Sequence, residues 1–288
     1  MKPSPYVLIT PARNEELYIE QTIRSVINQT VLPEKWIIVS DGSTDNTDEI
    51  VQQYQSGYSF IELLRRQSRE ERNFASKVYA VKDGIEKLKE VGFDFIGNLD
   101  ADVSFGPLYF EKLLEEFVRN PRLGIAGGEV VDVYQSREYH HHASKTSIGG
   151  AVQFFRLQCF EEIGGYVPLE YGQVDAVAEI TARMKGWETR HFPALKVLHH
   201  RRIGTEGRNI WKVRFQEGVR EYRIGYHPVF HIARALQRLD QHPYVVGSVI
   251  RGCGYVWAHL RKPKRDVSEE FIKFVHKEQM QKLLSLFT

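Results

Sequence analysis

Cysteine is nearly absent: Cys159 and Cys253 are the only two among 288 residues. Two thiols cannot build a disulfide framework or a cysteine-rich zinc site, so they read as ordinary reduced thiols. An excess of one charge is also missing. Lys and Arg total 39 against 37 Asp and Glu, a formal net charge of +2. No global basicity therefore points to nucleic acid as a partner. Long apolar runs are missing too. The most apolar stretch, residues 243–260, contains Arg251, His259 and three glycines, and nothing reaches the ~20 apolar residues of a membrane span. The first ten residues carry one lysine and a short apolar run that stops at Pro11. That is less than the apolar core of a secretory leader. A cytoplasmic protein, soluble or peripheral on the inner face of a membrane, is the expectation. Internal repeats and low-complexity stretches are absent as well.

What is present is ordinary globular material, 42% hydrophobic and 26% charged, enough to bury a core without staples. Over the first 130 residues strand and helix signals alternate. Short apolar runs at residues 6–9, 36–39, 60–64 and 93–99 read as strands. Helical spacing marks residues 15–29, with Asn14 as its cap, and residues 47–54, 75–91 and 107–118. Strand followed by helix, repeated, predicts a mostly parallel sheet with crossover helices on its faces. Farther on, strands are expected at 130–134, 151–155 and 197–200, a polar loop at 135–150, and helices at 157–163 and 174–185, the last ended by Gly186. Beyond Ile210 the pattern is mainly helical, broken at Pro228, Pro243 and Pro263.

Ligands of open parallel sheets bind beyond the carboxyl ends of the strands. Three polar clusters fall there: Thr10-Pro11-Ala12-Arg13-Asn14-Glu15, Ser40-Asp41-Gly42-Ser43 and Asp100-Ala101-Asp102. Asn14 alone could be only a cap, and Asp41-Gly42 only a turn. Three such clusters at three strand ends point to one site. Two carboxylates one residue apart at a strand end can reach a divalent cation, and hard oxygen ligands suit Mg²⁺ or Mn²⁺ bridging to phosphate.

With "LITPARNEE", "IIVSDGSTDNT" and "NLDADV" in this order, followed by "SIGGAVQFFRLQCFEEIGGY" and "VDAVAEITARMKGW", residues 5–200 resemble a glycosyltransferase of family 2. The later stretches "HHRRIGTEGRN" and "GVREYRIGYHPVF" are similar to a bacterial branch that assembles polysaccharide. The resemblance implies the GT-A fold, a Rossmann-like, mostly parallel α/β sheet, over residues 1–200, with a basic flap and a mainly helical extension over 201–288. It implies a nucleoside diphosphate sugar donor, a sugar or lipid-linked acceptor, inversion by one displacement, and Mn²⁺ or Mg²⁺. Pro11, Ala12, Arg13, Asn14 and Glu15 would line the nucleotide pocket, and Asp41 would accept from the base, commonly uracil. Lys77 would lie near the diphosphate, Asp100 would contact ribose and metal, and Asp102 would be the main metal ligand. His199 or His200 would complete the metal shell, His199 before His200. The family shows an acidic pair before a helix, whereas here Val174-Asp175 keeps only the second acid. Asp175, eleven residues before Gly186, is then the expected base, with Glu179 and Glu170 as competitors.

Other features carry less. His140-His141-His142 reads as a solvated loop. The seven basic side chains between Arg201 and Arg223 read either as a solvated helical face or as a flap reaching diphosphate. Residues 244–265 mix Val, Tyr and Trp with a basic end. Such a segment suits an anionic membrane surface, packing on the core, or self-association into a homo-oligomer. Two other functions remain in view: a sugar nucleotidyltransferase, whose glycine-rich basic loop "TPARNEE" lacks, and an inactive sugar-nucleotide-binding partner in a polysaccharide complex.

Overall fold

The computed structural model describes residues 4–67, 74–134, 137–140, 147–169, 172–200, 209–239 and 243–285. The chain divides into two compact units, Met1–Arg202 and Ile203–Thr288.

The first unit opens with β1 (Tyr6–Ala12), α1 (Ile19–Ile27), β2 (Lys35–Asp41), α2 (Thr47–Gly57), β3 (Ile61–Arg66), α3 (Phe74–Glu86) and β4 (Phe95–Leu99). These four strands pair in parallel in the order β3-β2-β1-β4. β1, β2 and β4 are buried along nearly their whole length, as strands covered on both faces must be. The period of two sorts their side chains. Tyr6, Leu8, Trp36 and Ile38 pack with Ile19 and Ile23 of α1 on one face. Val7, Ile9, Ile37 and Val39 pack with Val78 and Val81 of α3 on the other.

The second half of this unit runs β5 (Val103–Phe105), α4 (Tyr109–Arg119), β6 (Leu123–Tyr134), β7 (Arg137–His140), β8 (Val152–Arg156), α5 (Leu157–Glu162), α6 (Val174–Met184) and β9 (Glu188–His199). Here the sheet becomes mixed. β8 lies antiparallel between β4 and β6, β9 runs parallel to β6, and β5 closes antiparallel on β9. Three local readings differ from the sequence pattern. α1 starts at Ile19 rather than near residue 15. Asn14 sits at φ 55°, outside helical space, and it caps nothing in α1. β7 occupies part of the expected polar loop. Three of its four residues are exposed, so no apolar alternation betrays it, and it exists by pairing with β6. β6 and β9 each run to 12 residues, held by their mutual ladder.

The second unit holds α7 (Ile210–Arg223), α8 (Pro228–Gln237), α9 (Tyr244–Arg261) and α10 (Glu269–Leu284). Asn209 caps α7 through Trp211 N–H (2.9 Å), and Ser268 caps α10 through Phe271 N–H (3.2 Å). Residues 201–208 of the anticipated flap lie outside the described residues. The rest of it is α7, whose Arg223 pairs bidentately with Asp266 at 2.8 Å. α7 and α9 cross at two glycines. A Cβ on Gly218 would lie 2.0 Å from the Arg251 carbonyl oxygen, and one on Gly254 2.1 Å from that of Phe215. Gly252, by contrast, has open space around it.

Gly254→Ala is therefore expected to destabilise the second unit by ~2 kcal/mol or more, because the facing atom is main chain and cannot turn away. Gly252→Ala should be neutral or stabilising by up to ~1 kcal/mol through helix propensity. Denaturant titration of both variants beside the parent checks the contrast.

Candidate functional site

The carboxyl ends of β1 and β2 are zipped together by polar side chains. Pro11 and Ala12 end β1 opposite Val39 and Ser40 of β2. Beyond them Arg13, Asn14 and Glu15 form a turn. The left-handed backbone of Asn14 aims its side chain at the neighbouring loop, where Oδ1 accepts from Thr44 N–H at 2.8 Å. Glu15 N–H donates to Thr47 Oγ1 (2.7 Å) and Glu16 N–H to Asp45 Oδ2 (3.0 Å). Asp41, the last residue of β2, is buried. Its Oδ1 lies 3.2 Å from Arg66 Nη1 but receives no aligned hydrogen bond, and Arg66 Nε is held by Asp83 at 3.0 Å. The result is a fixed carboxylate with acceptor capacity to spare at the end of a rigid strand.

The turn Asp100-Ala101-Asp102 follows β4 directly, and three elements hold it. Asp100 N–H donates to Ala151 O (2.8 Å), and Asp102 O accepts from His200 N–H (2.8 Å). From α1, the fully buried Thr22 hydroxyl lies 2.8 Å from both Ala101 O and Val103 O, and it accepts from Val103 N–H at 3.1 Å. A hydroxyl has one proton and two lone pairs, so this one group serves the turn as donor and acceptor.

Strand register then supplies a histidine. β9 sets His199 opposite Asp132 of β6 and opposite Val103 of β5. His199 Nδ1 is 2.9 Å from Asp132 Oδ1, and Nε2 is 3.3 Å from Asp102 Oδ2. Burial alone would lower the imidazole's pKa. The hydrogen bonds to Asp102 and Asp132 outweigh it and push the value up to about 10, so both ring nitrogens carry protons. His200 points elsewhere, with Nε2 2.8 Å from Ser104 Oγ and its ring stacked on Tyr18.

Across the turn, Lys77 of α3 pairs with Asp100 and reaches Gly150 O at 3.4 Å. Burial pulls the ammonium down, but the charge of Asp100, with Asp175 and Asp102 behind it, leaves it raised. Burial raises the Asp100 carboxyl, and Asp102 pushes it the same way against the pull of Lys77. Asp175 is the second residue of α6, while the flanking position is Gln173 at φ 66° with no side-chain cap, so Asp175 does not serve as the cap. Its carboxylate lies over Gly150, where a Cβ would sit 2.7 Å from Oδ2. One turn on, Glu179 is buried and accepts from Ile148 N–H (3.0 Å) and Gln153 Nε2 (2.9 Å). Burial, with the charge of Asp175 added, pushes its carboxyl up to about 8. Glu170 lies outside the described residues, as do His141 and His142, while His140 lies on β7, 3.2 Å from Glu129.

The structure thus brings Lys77, Asp100, Asp102, Asp175 and His199 to one locus, and places residues 11–15 and Asp41 at the adjoining strand ends. Asp132 and Thr22 were not anticipated. An acid inside the apolar alternation of "GGEVVDVY" was the available signal for Asp132, whereas a threonine on an amphipathic helix gives none. Among the described residues, no three His, Cys, Asp or Glu side chains are already arranged to hold a metal ion. The donor chemistry nevertheless fits a hard divalent cation. Asp132 fixes Nδ1 of His199, so Nε2 is directed at Asp102, the arrangement by which a carboxylate orients a ligating imidazole.

A sequence model of glycosyl transferase family 2 matches residues 7–168. The poly-beta-1,6-N-acetyl-D-glucosamine synthase of Staphylococcus epidermidis is 30% identical over 118 residues, 40% of this chain and 26% of that protein. The synthase of Staphylococcus aureus (strain COL) aligns with the same identity and shares. The match thus spans about a quarter of the length of these relatives. Among solved structures, the mannosyltransferase PcManGT from Pyrobaculum calidifontis, in complex with GDP-Man and Mn²⁺, superposes with a TM-score of 0.60 at 14% identity, covering 99% of this chain and 81% of that one. GalNAc-T7 with UDP, GalNAc and Mn²⁺ gives 0.63 at 13% identity, covering 99% and 58%. The fold is that of GT-A glycosyltransferases.

The buried Glu179 yields a pH signature. Its folded pKa lies above the ordinary carboxyl range, so the stability it lends is full at acid pH and is lost as pH rises through about 8. Glu179→Gln keeps a carbonyl acceptor and removes the titration. Between pH 5 and 9 the parent should lose on the order of 3 kcal/mol more stability than this variant, read by denaturant titration at each pH.

Proposed function

The chain belongs to glycosyl transferase family 2, and from that premise we propose that it transfers a sugar from a nucleoside diphosphate sugar to a hydroxyl acceptor in polysaccharide or glycoconjugate assembly. A uridine diphosphate donor is favoured. The observation that carries the reading is the gathering of Asp100, Asp102, His199, Lys77 and Asp175 at the carboxyl end of β4. The names of the staphylococcal synthases support the polysaccharide context, and the nucleotides bound by the two solved neighbours support the donor class.

In this reading Asp41 accepts from the base, and Arg66, 3.2 Å from its Oδ1, holds that carboxylate in place. Residues 11–15 wall the nucleotide, their backbone fixed by the bonds to Thr44, Asp45 and Thr47. The residues that would hold Mn²⁺ or Mg²⁺ are Asp100, Asp102 and Nε2 of His199, two hard carboxylates joined by one borderline imidazole. When bound, such a cation supplies positive charge to the departing diphosphate. The Lys77 ammonium adds a second positive charge from the protein itself. As a ligand His199 would bind through a deprotonated Nε2, with Asp132 keeping Nδ1–H in place.

Asp175 takes the proton from the acceptor hydroxyl as that oxygen attacks the anomeric carbon. One displacement inverts the centre and needs no covalent nucleophile. Glu179 suits this task less, since it is buried and one of its oxygens already accepts two hydrogen bonds.

Two variants separate the roles. Asp102→Ala should abolish Mn²⁺-dependent UDP binding in calorimetry while the fold is kept. Asp175→Asn should bind donor as the parent does, yet transfer sugar ~10²-fold more slowly or worse. Parent-like UDP affinity in the first variant removes Asp102 from the site. A parent-like transfer rate in the second, with Glu179→Gln inactive, moves the base to Glu179.

A further inference from the structure

We propose that the outer faces of α8 and α9 form a docking surface for an anionic lipid bilayer. α9 buries Gly247, Ser248, Arg251, Gly254, Tyr255 and Ala258 along one side. Its other side leaves Val245, Val249, Val256, Trp257 and Leu260 uncovered, Val249 being 58% and Leu260 76% exposed. α8 packs beside it, with Ser248 Oγ donating to Ala235 O at 3.0 Å, and leaves Val229, Ile232 and Leu236 exposed in turn. Uncovered apolar side chains repeated along two neighbouring helices are more than the scattered apolar residues of an ordinary surface.

Charge identifies the occupant. Apart from the buried Arg251, paired with Glu217, residues 243–265 contain Arg261, Lys262, Lys264 and Arg265 and no acidic residue. Arg261, Lys262 and Lys264 stand exposed at the end of the apolar face. An apolar face with the exposed Trp257 and Tyr244, edged by lysine and arginine, matches the interface between acyl chains and anionic headgroups. A second copy of the chain fits less well. A two-fold pairing of α9 on α9 would bury apolar area but offer the basic end no acid on the facing helix. The helix lies on such a surface rather than through it, since no described helix is long and apolar enough to cross a membrane.

The test is vesicle flotation of the full chain with phosphatidylcholine alone and with phosphatidylcholine containing phosphatidylglycerol. Binding is expected to the anionic vesicles only, falling as salt rises. The pair Val249→Glu and Leu260→Glu, and separately the pair Arg261→Ser and Lys264→Ser, should each weaken it ~10-fold or more, with unchanged circular dichroism. All four positions are solvent-facing, so the fold does not depend on them. Failure to bind anionic vesicles, equal binding to both compositions, or parent-like binding by both variant pairs overturns the proposal. So does a solution dimer that the Val249→Glu and Leu260→Glu pair dissociates, in a chain without vesicle affinity. None of these readouts depends on sugar transfer.

Discussion

The buried hydroxyl of Thr22 governs the geometry of the site. It fixes the turn that carries Asp100 and Asp102 by meeting two carbonyls and one N–H of that turn from the middle of α1. Without it those main-chain groups would be buried with fewer partners, at a cost of ~1–3 kcal/mol for each left unsatisfied. The turn in turn orders its surroundings. Asp102 O accepts from the N–H of His200, just past the end of β9, with His199 beside Asp102, and Asp100 N–H holds Ala151, just before β8 and next to Gly150. A polar contact on the inner side of a helix thus sets where the carboxylates lie relative to histidine and lysine.

Around that turn, charges are compensated in pairs. His199 stands between Asp102 and Asp132, and Lys77 beside Asp100 with Asp175 close by. Buried carboxylates are costly unless paired, and these pairings let four acids share a small volume. In the proposed reaction the same cations and carboxylates are redistributed toward the donor. Were a divalent cation bound, Asp100, Asp102 and Nε2 of His199 would hold it, and Lys77 would lie beside the diphosphate.

Much of this was legible in the residues. The apolar runs leading into "TPARNEE", "SDGST" and "DAD" located three strand ends, because a strand buried on both faces is written mostly in apolar letters. The parts that were hidden depend on tertiary pairing. β7 carries no alternation, since its side chains face water, and only the ladder with β6 makes it a strand. Asn14 has the chemistry of a helix cap, but the left-handed turn hands its side chain to Thr44. Asp132 and His199 are 67 residues apart, and only the β6–β9 register makes them neighbours. Thr22 reads as one more residue on an amphipathic helix until the turn above it is known.

Calorimetry of UDP binding in the presence of Mn²⁺, run on Thr22→Val and Thr22→Ser beside the parent, tests most directly whether this clamp builds the site. Valine keeps the shape and removes the hydroxyl, and serine restores it. The account predicts affinity ~10-fold or more below the parent for Thr22→Val, in a protein whose circular dichroism is native, with parent-like affinity for Thr22→Ser. Parent-like affinity in folded Thr22→Val would contradict it, because the two carboxylates would then hold their positions without the hydroxyl.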